Sequence, residues 1–326
     1  MCKKERLMWI DSMKGWGIIL VIIGHTYTFA NYPNLGLFLI SGFMPMFFIL
    51  SGVTSKTASL KKILYKKYHR LIIPYLLYGV ISNVMIFIIN DIPIVYLKNV
   101  FISLIYAHNI PSYENNYFLN TPLWFLPALF FSYILFYYYL NSNYKLTLFI
   151  IFFSLCILSY KSILLPFCLD IAFMGVLFII FGYIVKTKII NMKYNMILLI
   201  CSFLLYIIII YYNGIVNMAI KNYGMRGLLS VFLFYIQGIL YFFVFSIIFK
   251  YFSKNTINKI LAAFGKQSLR LMCIHMPVFY TVKYFLFVHI RPLFITLFVM
   301  FISYYLSLLL DYLSQNKGKY NIFSYL

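Results

Sequence analysis

The chain has 326 residues, of which 64% are hydrophobic and only 10% charged, yet it carries a formal net charge of +21. Soluble domains carry about 25% charged residues. This composition cannot cover a water-facing surface, so it excludes a soluble enzyme, a nucleic-acid-binding domain and a disordered chain. What is left is a polytopic membrane protein, long enough for one domain of about ten spans at roughly 20 residues each.

In chain order, apolar runs fall at about 9–29, 35–54, 71–90, 122–140, 146–160, 164–185, 194–213, 228–249, 268–289 and 292–313. They are continuous and not alternating, which selects helices over barrel strands. The fold expected is an all-α integral membrane protein of about ten transmembrane helices. The first run follows a basic stretch but has no small-residue cleavage site and holds Asp11 and Lys14, so it reads as a retained span and not a signal peptide. Of the 27 basic residues, 21 fall before, within or after alternate runs on one side: Lys3, Lys4, Arg6 and Lys14, the group Lys56–Arg70, Lys145, Lys186–Lys193, Lys250–Arg270, and Lys317 with Lys319. Six lie on the other side or within the ninth run. Basic loops face the cytoplasm, so both termini are expected there. The same excess of positive charge suits anionic membrane lipids and argues for no nucleic-acid partner. Residues 1–316 form the membrane domain expected, and 317–326 a short cytoplasmic tail. The longest outer segment, 91–121, is too short for a domain. No internal repeat is evident, and no broken helix pair in matching halves, which weakens a transporter reading. The cysteines form no CxxC or Cys/His cluster, so neither a disulfide framework nor a metal site is expected.

Ionisable residues inside a span are expensive and functional by default. Lys14 and His25 are 11 residues apart, about 1100° of helical rotation and so within ~20° of one face, and ~16 Å apart along the axis. Asp11, three before Lys14, can pair with it. These three form a polar stripe. A histidine suits acid–base work near neutral pH or can itself receive an acyl group. Lys14 can hold negative charge on a cofactor or a developing oxyanion. Snorkelling end residues and one hydrogen-bonded histidine are the plainer alternative.

Further on, Pro45-Met46-Phe47-Phe48-Ile49-Leu50-Ser51-Gly52 ends the second run. Gly52 reads as a helix-packing residue, and Ser51 is placed at the site. The cluster Lys61-Lys62 and Lys66-Lys67-Tyr68-His69-Arg70 follows. Lys67 and Arg70 are one helical turn apart, and with Lys66 they suit the phosphates of a nucleotide cofactor. Ordinary positive-inside anchoring is the alternative. Trp124 reads as an interfacial anchor or a stacking surface for a sugar. His275, beside Pro277, lines the cavity or bonds a neighbouring helix. Asp170 reads as a helix cap; His69, His108 and His289 are assigned no role.

These segments, in this order, resemble the acyltransferase family 3 membrane proteins. The residues are Asp11-Ser12-Met13-Lys14-Gly15 through Gly24-His25, the Ser51-Gly52 run, and Lys66 through Pro74-Tyr75. Later come Thr121-Pro122-Leu123-Trp124, Phe181-Gly182-Tyr183, Gly265-Lys266-Gln267-Ser268-Leu269, and Ile274-His275-Met276-Pro277. The similarity is closest to the fucose 4-O-acetylase-like branch. It implies ten helices in the cell (cytoplasmic) membrane and acetyl-CoA as acyl donor from the cytosol. The acceptor implied is a hydroxyl of a surface polysaccharide (capsule, O-antigen or exopolysaccharide) or its lipid-linked precursor. The family's basic-residue-ten-any-histidine pattern falls on Lys14 and His25, and its Arg-x-x-Arg pattern on Lys67 and Arg70. Most relatives have arginine at the Lys14 position; a lysine lacks the bidentate fork. On this reading His25, Lys14 and Asp11 are catalytic, Lys67, Arg70 and Lys66 bind the cofactor, and Ser51, Trp124 and His275 line the substrate. A transporter or flippase for a lipid-linked sugar is the rival.

Overall fold

A computed structural model describes residues 7–26, 33–89, 97–108, 121–160, 163–193, 195–214, 216–253, 255–285 and 292–315. Among them the chain is all helical: α1 Met8–His25, α2 Pro33–Ile40, α3 Phe43–Val53, α4 Leu60–Lys67, α5 Ile73–Ile89, α6 Leu97–Tyr106, α7 Phe125–Asn141, α8 Lys145–Leu158, α9 Leu169–Asn191, α10 Met196–Asn213, α11 Leu229–Tyr251, α12 Thr256–Lys266, α13 Ser268–Phe285 and α14 Pro292–Gln315. Every one of the ten apolar runs contains a helix. Five helical stretches are long and apolar enough to cross a membrane: Pro122–Asn141, Pro166–Asn191, Met196–Asn213, Leu229–Tyr251 and Pro292–Ser314. Lys3, Lys4, Arg6, Lys317 and Lys319, on which the orientation of the termini was argued, lie outside the described residues, as do the tail and 109–120 of the outer segment.

Helix α9 is the central post, with Ile171, Met174, Val176, Leu177, Phe178 and Ile179 all fully buried. Helices α10 and α14 present Ile197, Leu204, Ile208, Phe294, Phe301 and Leu309 outward. In water such faces would be a liability; in lipid they are the natural exterior. Lipid removes most of the hydrophobic drive between helices, so close backbone approach matters more. A Cβ on Gly52 would overlap the Ile179 carbonyl, and one on Gly182 would overlap the Ile49 carbonyl. The two glycines thus let α3 and α9 touch backbone to backbone, the packing role read for Gly52. Gly182→Ala, remote from the basic residues of the site, should destabilise the fold by about 1–3 kcal/mol. Thermal unfolding of the detergent-solubilised protein checks this, and an unchanged midpoint would refute the close approach.

The second run, read as a single span, is two helices. It breaks at Ser41-Gly42 for an identifiable reason. The Tyr241 ring packs where a Cβ on Gly42 would sit. The Tyr206 hydroxyl donates to the Phe38 carbonyl at 2.6 Å and lies 2.8 Å from Ser41 Oγ. Two tyrosines from α10 and α11 therefore satisfy the polar groups that the break exposes.

A second polar structure lies at the start of α9. Asp170 is fully buried and meets two other buried groups: His108 Nε2 at 2.9 Å on Oδ1 and Lys221 Nζ at 2.8 Å on Oδ2. Lys221 also donates to the Ser159 carbonyl at 2.8 Å and to that of Ile163. The cap reading of Asp170 is replaced by this buried polar triad, which ties the segment after α6 and the turn between α10 and α11 to the central helix. Lys186 and Lys250 act similarly at the opposite end. Lys250 donates to the carbonyls of Ile190 and Met192 at 3.0 and 2.9 Å, closing the C-terminus of α9, and Lys186 donates to that of Ser55.

Candidate active site

Helix α1 carries the polar stripe, and its seat is α12. A Cβ on Gly15 would overlap the Leu261 carbonyl, and one on Gly265 the Asp11 carbonyl. Ser12 Oγ donates to the Asn258 carbonyl at 2.9 Å. This backbone-to-backbone crossing fixes Asp11, which is buried, and Lys14, which is half-buried, beside the corner where α12 turns into α13.

The basic stretch 61–70 is shaped by a proline. Pro74 has no N–H to give the Arg70 carbonyl. The chain takes up a π turn over Tyr68–Ile72, directly before it, and continues as α5. The wider turn changes the angular register. Lys67 and Arg70, placed on one face by regular helical spacing, diverge. Lys67 Nζ stands 3.3 Å above the centre of the Tyr133 ring, whereas Arg70 joins Lys66 and Lys62, one and two turns before it, in lining a cleft. That cleft has a volume of about 700 Å³. Its other wall is Lys266, Gln267 and Arg270, and Pro74, Leu269 and Cys273 also line it. Arg270 pairs with Asp311 of α14, which also accepts from Gln267 Nε2 at 3.1 Å.

Tyr133, in the middle of α7, joins the cleft to the stripe. The Ser51 hydroxyl and the charges of Lys14, Arg70 and Lys66 lie close enough to act on it. Ser51 Oγ itself donates to the Phe47 carbonyl at 2.9 Å. Burial, reinforced by the neighbouring positive charges of Arg70 and Lys66, pulls Lys67 down to about 7. Lys67 is therefore a cation that its surroundings disfavour, poised to gain from a phosphate.

His25 is the last residue of α1 and half-buried. Its ring lies 5.6 Å from that of His275, centre to centre, across the interface of α1 and α13. His275 is fully buried. Its Nδ1 is 2.7 Å from the Leu271 carbonyl, an acceptor only, so Nδ1 bears the proton and Nε2 the lone pair. Among the described residues, that Nε2 has no hydrogen-bond partner. Buried polar atoms are rarely left so, and one on a ring beside a second histidine points to a site completed by a ligand or a proton. His275 follows Arg270 by five residues, or ~7.5 Å of helix rise, and Cys273 between them lines the cleft. Trp124 is buried, packed edge-on to Phe125, in the short turn that leads α7 and touches α13. Among the described residues no group of acidic, histidine and cysteine side chains could hold a metal ion.

The structure thus brings together Lys14, Ser51, Lys66, Lys67 and Arg70 at one end and His25 with His275 at the other. Tyr133, Lys266 and Arg270 were not singled out as site residues. Tyr133 sits in an unbroken apolar run and gives no signal. The Lys266–Arg270 spacing of four did offer one, but read as topology.

A model of the acyltransferase family 3 domain matches residues 7–312, nearly the whole chain. The chain belongs to that family. It is a membrane acyltransferase acting on carbohydrates. No curated protein and no solved structure matches it. A family 3 acyltransferase needs a route for an acyl donor, a base for the acceptor hydroxyl and a means of holding developing negative charge. The cleft, the histidine pair and the half-buried Lys14 and Lys67 are residues of those three kinds.

Proposed function

We propose that this acyltransferase is an O-acetyltransferase of the fucose 4-O-acetylase-like branch. It moves an acetyl group from cytosolic acetyl-CoA to a hydroxyl of a cell-surface polysaccharide or its lipid-linked precursor, in a ten-span domain of the cytoplasmic membrane with both termini in the cytoplasm. The observation that carries the reading is a basic cleft lined by Lys62, Lys66, Arg70, Lys266 and Arg270, next to the helix α13 whose His275 ring lies 5.6 Å from that of His25.

The donor's phosphates are held by Lys66, Lys67 and Arg70, and its thioester end extends inward. Lys14, seated against α12 and positioned by Asp11, holds the negative charge that develops on the thioester oxygen. His25 takes the proton from the acceptor hydroxyl as its oxygen attacks the thioester carbonyl, or His25 first accepts the acetyl group and passes it on; in either order the C–S bond breaks and coenzyme A takes up the proton and leaves as the thiol. His275, with its proton fixed on Nδ1, offers its Nε2 lone pair beside it. Trp124 completes the acceptor side, and Ser51 lines the passage between the donor end and the histidine pair. In a flippase for a lipid-linked sugar, the buried Nε2 beside a second histidine has no evident use.

Comparison of the envelope glycan of a deletion strain with that of a complemented one, by mass spectrometry, tests this. Acetyl groups should disappear on deletion and return with the wild-type gene. Unchanged acetylation together with failed polymer export would establish the flippase instead.

The position of Lys67 adds a pH signature. Its charge is present below about 7 and lost as pH rises through that value. The KM for acetyl-CoA should therefore rise about five- to tenfold between pH 6 and 8, the loss of one charge-assisted hydrogen bond. In Lys67→Arg, which stays charged, the rise should vanish. The same rise in both proteins would remove Lys67 from donor binding.

A further inference from the structure

The wall of the cleft opposite Lys66 and Arg70 has no role in the mechanism above. It comes from a segment some two hundred residues downstream. Lys266 and Arg270 are one helical turn apart across the α12–α13 corner, and both line the cleft. Arg270 is braced by Asp311 and lies 3.5 Å from Gln267 Oε1, so its guanidinium is held in place and not merely solvated. The facing wall has a second feature. Tyr65 and His69 pack with ring centres 4.3 Å apart and their planes tilted by 44°, and the His69 ring is fixed by a 2.7 Å contact of Nδ1 with the Tyr65 carbonyl. Tyr65 is 69% exposed and lines the cleft. An ordered, exposed aromatic pair beside a row of cations is the arrangement that receives a base and its phosphates.

We infer that this cleft is a two-walled nucleotide site, in which Tyr65 and His69 stack the adenine of a coenzyme A donor and Lys266 with Arg270 bind its ribose 3′-phosphate. The inference rests on the proposed acetyl-CoA donor and deepens it. Coenzyme A carries phosphate at two separated places, a diphosphate and the ribose 3′-phosphate. The cleft offers two separated sets of cations, the row Lys62, Lys66 and Arg70 on one wall and the pair Lys266 and Arg270 on the other. An adenine stacked on the first wall turns its ribose across the cleft. The cations that meet it there are Lys266 and Arg270. The diphosphate then stays with Lys66 and Arg70, and the arm bearing the thioester continues past Cys273 towards His275. Gly265 ensures the placement, because its contact with Asp11 presses the α12–α13 corner against α1.

The test is binding of CoA and of 3′-dephospho-CoA to the full-length protein in nanodiscs, with and without anionic lipid. Wild type should bind CoA about tenfold more tightly than the dephospho form, the worth of one set of charge-assisted contacts. Lys266→Gln should erase that preference by weakening CoA alone, and Lys266→Arg should restore it. Tyr65→Ala should weaken both ligands equally. A Lys266→Gln protein that keeps the tenfold preference overturns the inference and leaves the donor reading standing. Wild-type protein that binds neither ligand overturns both. If Lys266→Gln changes only the response to anionic lipid, the wall contacts lipid headgroup phosphates, and the inference is again overturned. Arg270→Gln should repeat the Lys266→Gln result, which guards against a folding fault peculiar to one variant.

Discussion

Replacing His25 by alanine should lower acetyl transfer about 10²- to 10⁴-fold, the usual contribution of a positioned general base. The protein should still reach the membrane, because His25 ends α1 and is half-buried, so its removal opens no large void. The loss should appear in the turnover of bound donor and not in donor affinity, since the cleft that holds the phosphates is built from α4, α12 and α13 and not from the end of α1. His275→Ala should fall in the same direction but by less. His275 stands beside His25 and not alone, with its Nδ1 already committed to the Leu271 carbonyl. Because the rings are in contact, the two losses should not add. Measured separately, donor binding and transfer distinguish this from general damage: a His25→Ala protein that lost CoA binding as well would place His25 in the donor site.

The second large effect concerns stability. Asp170→Asn should cost about 3–5 kcal/mol, the range for breaking a buried ion pair by removing one partner. Asparagine can still accept from His108, but Lys221 is left as a cation that is 2% exposed with only carbonyl oxygens around it. The sign can be checked by a double change. Asp170→Asn combined with Lys221→Met removes the stranded charge and should recover much of the loss, so the two destabilisations should be strongly non-additive. Thermal unfolding of the solubilised protein measures both. A small cost for Asp170→Asn, or simple additivity, would show that Asp170 and Lys221 are not coupled.

Much of the architecture was legible because lipid imposes few choices. Ten apolar runs were read as membrane-spanning helices; each contains a helix, and among the described residues five helical stretches are long and apolar enough to cross. What escaped was everything that depends on contact between distant segments. The break at Ser41-Gly42 lies inside an apolar run, and only the two tyrosines packed against it explain it. The triad joining His108, Asp170 and Lys221 draws on residues 62 and 51 positions apart, and each alone reads as an end-of-helix residue. At the site, Lys14 and His25 were legible through helical periodicity. The pairing of Lys67 with Arg70 was legible in spacing but not in direction, because the π turn forced by Pro74 rotates one away from the other. Tyr133 could not be found in advance: one tyrosine in a chain that holds 32 carries no signal until Lys67 is seen above its ring.

The central claim is that this family 3 protein transfers acetyl from acetyl-CoA to an envelope glycan by means of His25. The most direct measurement follows labelled acetyl from acetyl-CoA, supplied on the cytoplasmic side of membrane vesicles prepared from the deletion strain, into the glycan fraction. Vesicles with wild-type protein should label the glycan, and vesicles with equal amounts of His25→Ala protein should label it at least a hundredfold less, about the lower bound for a lost base. Equal labelling by the two would contradict the account.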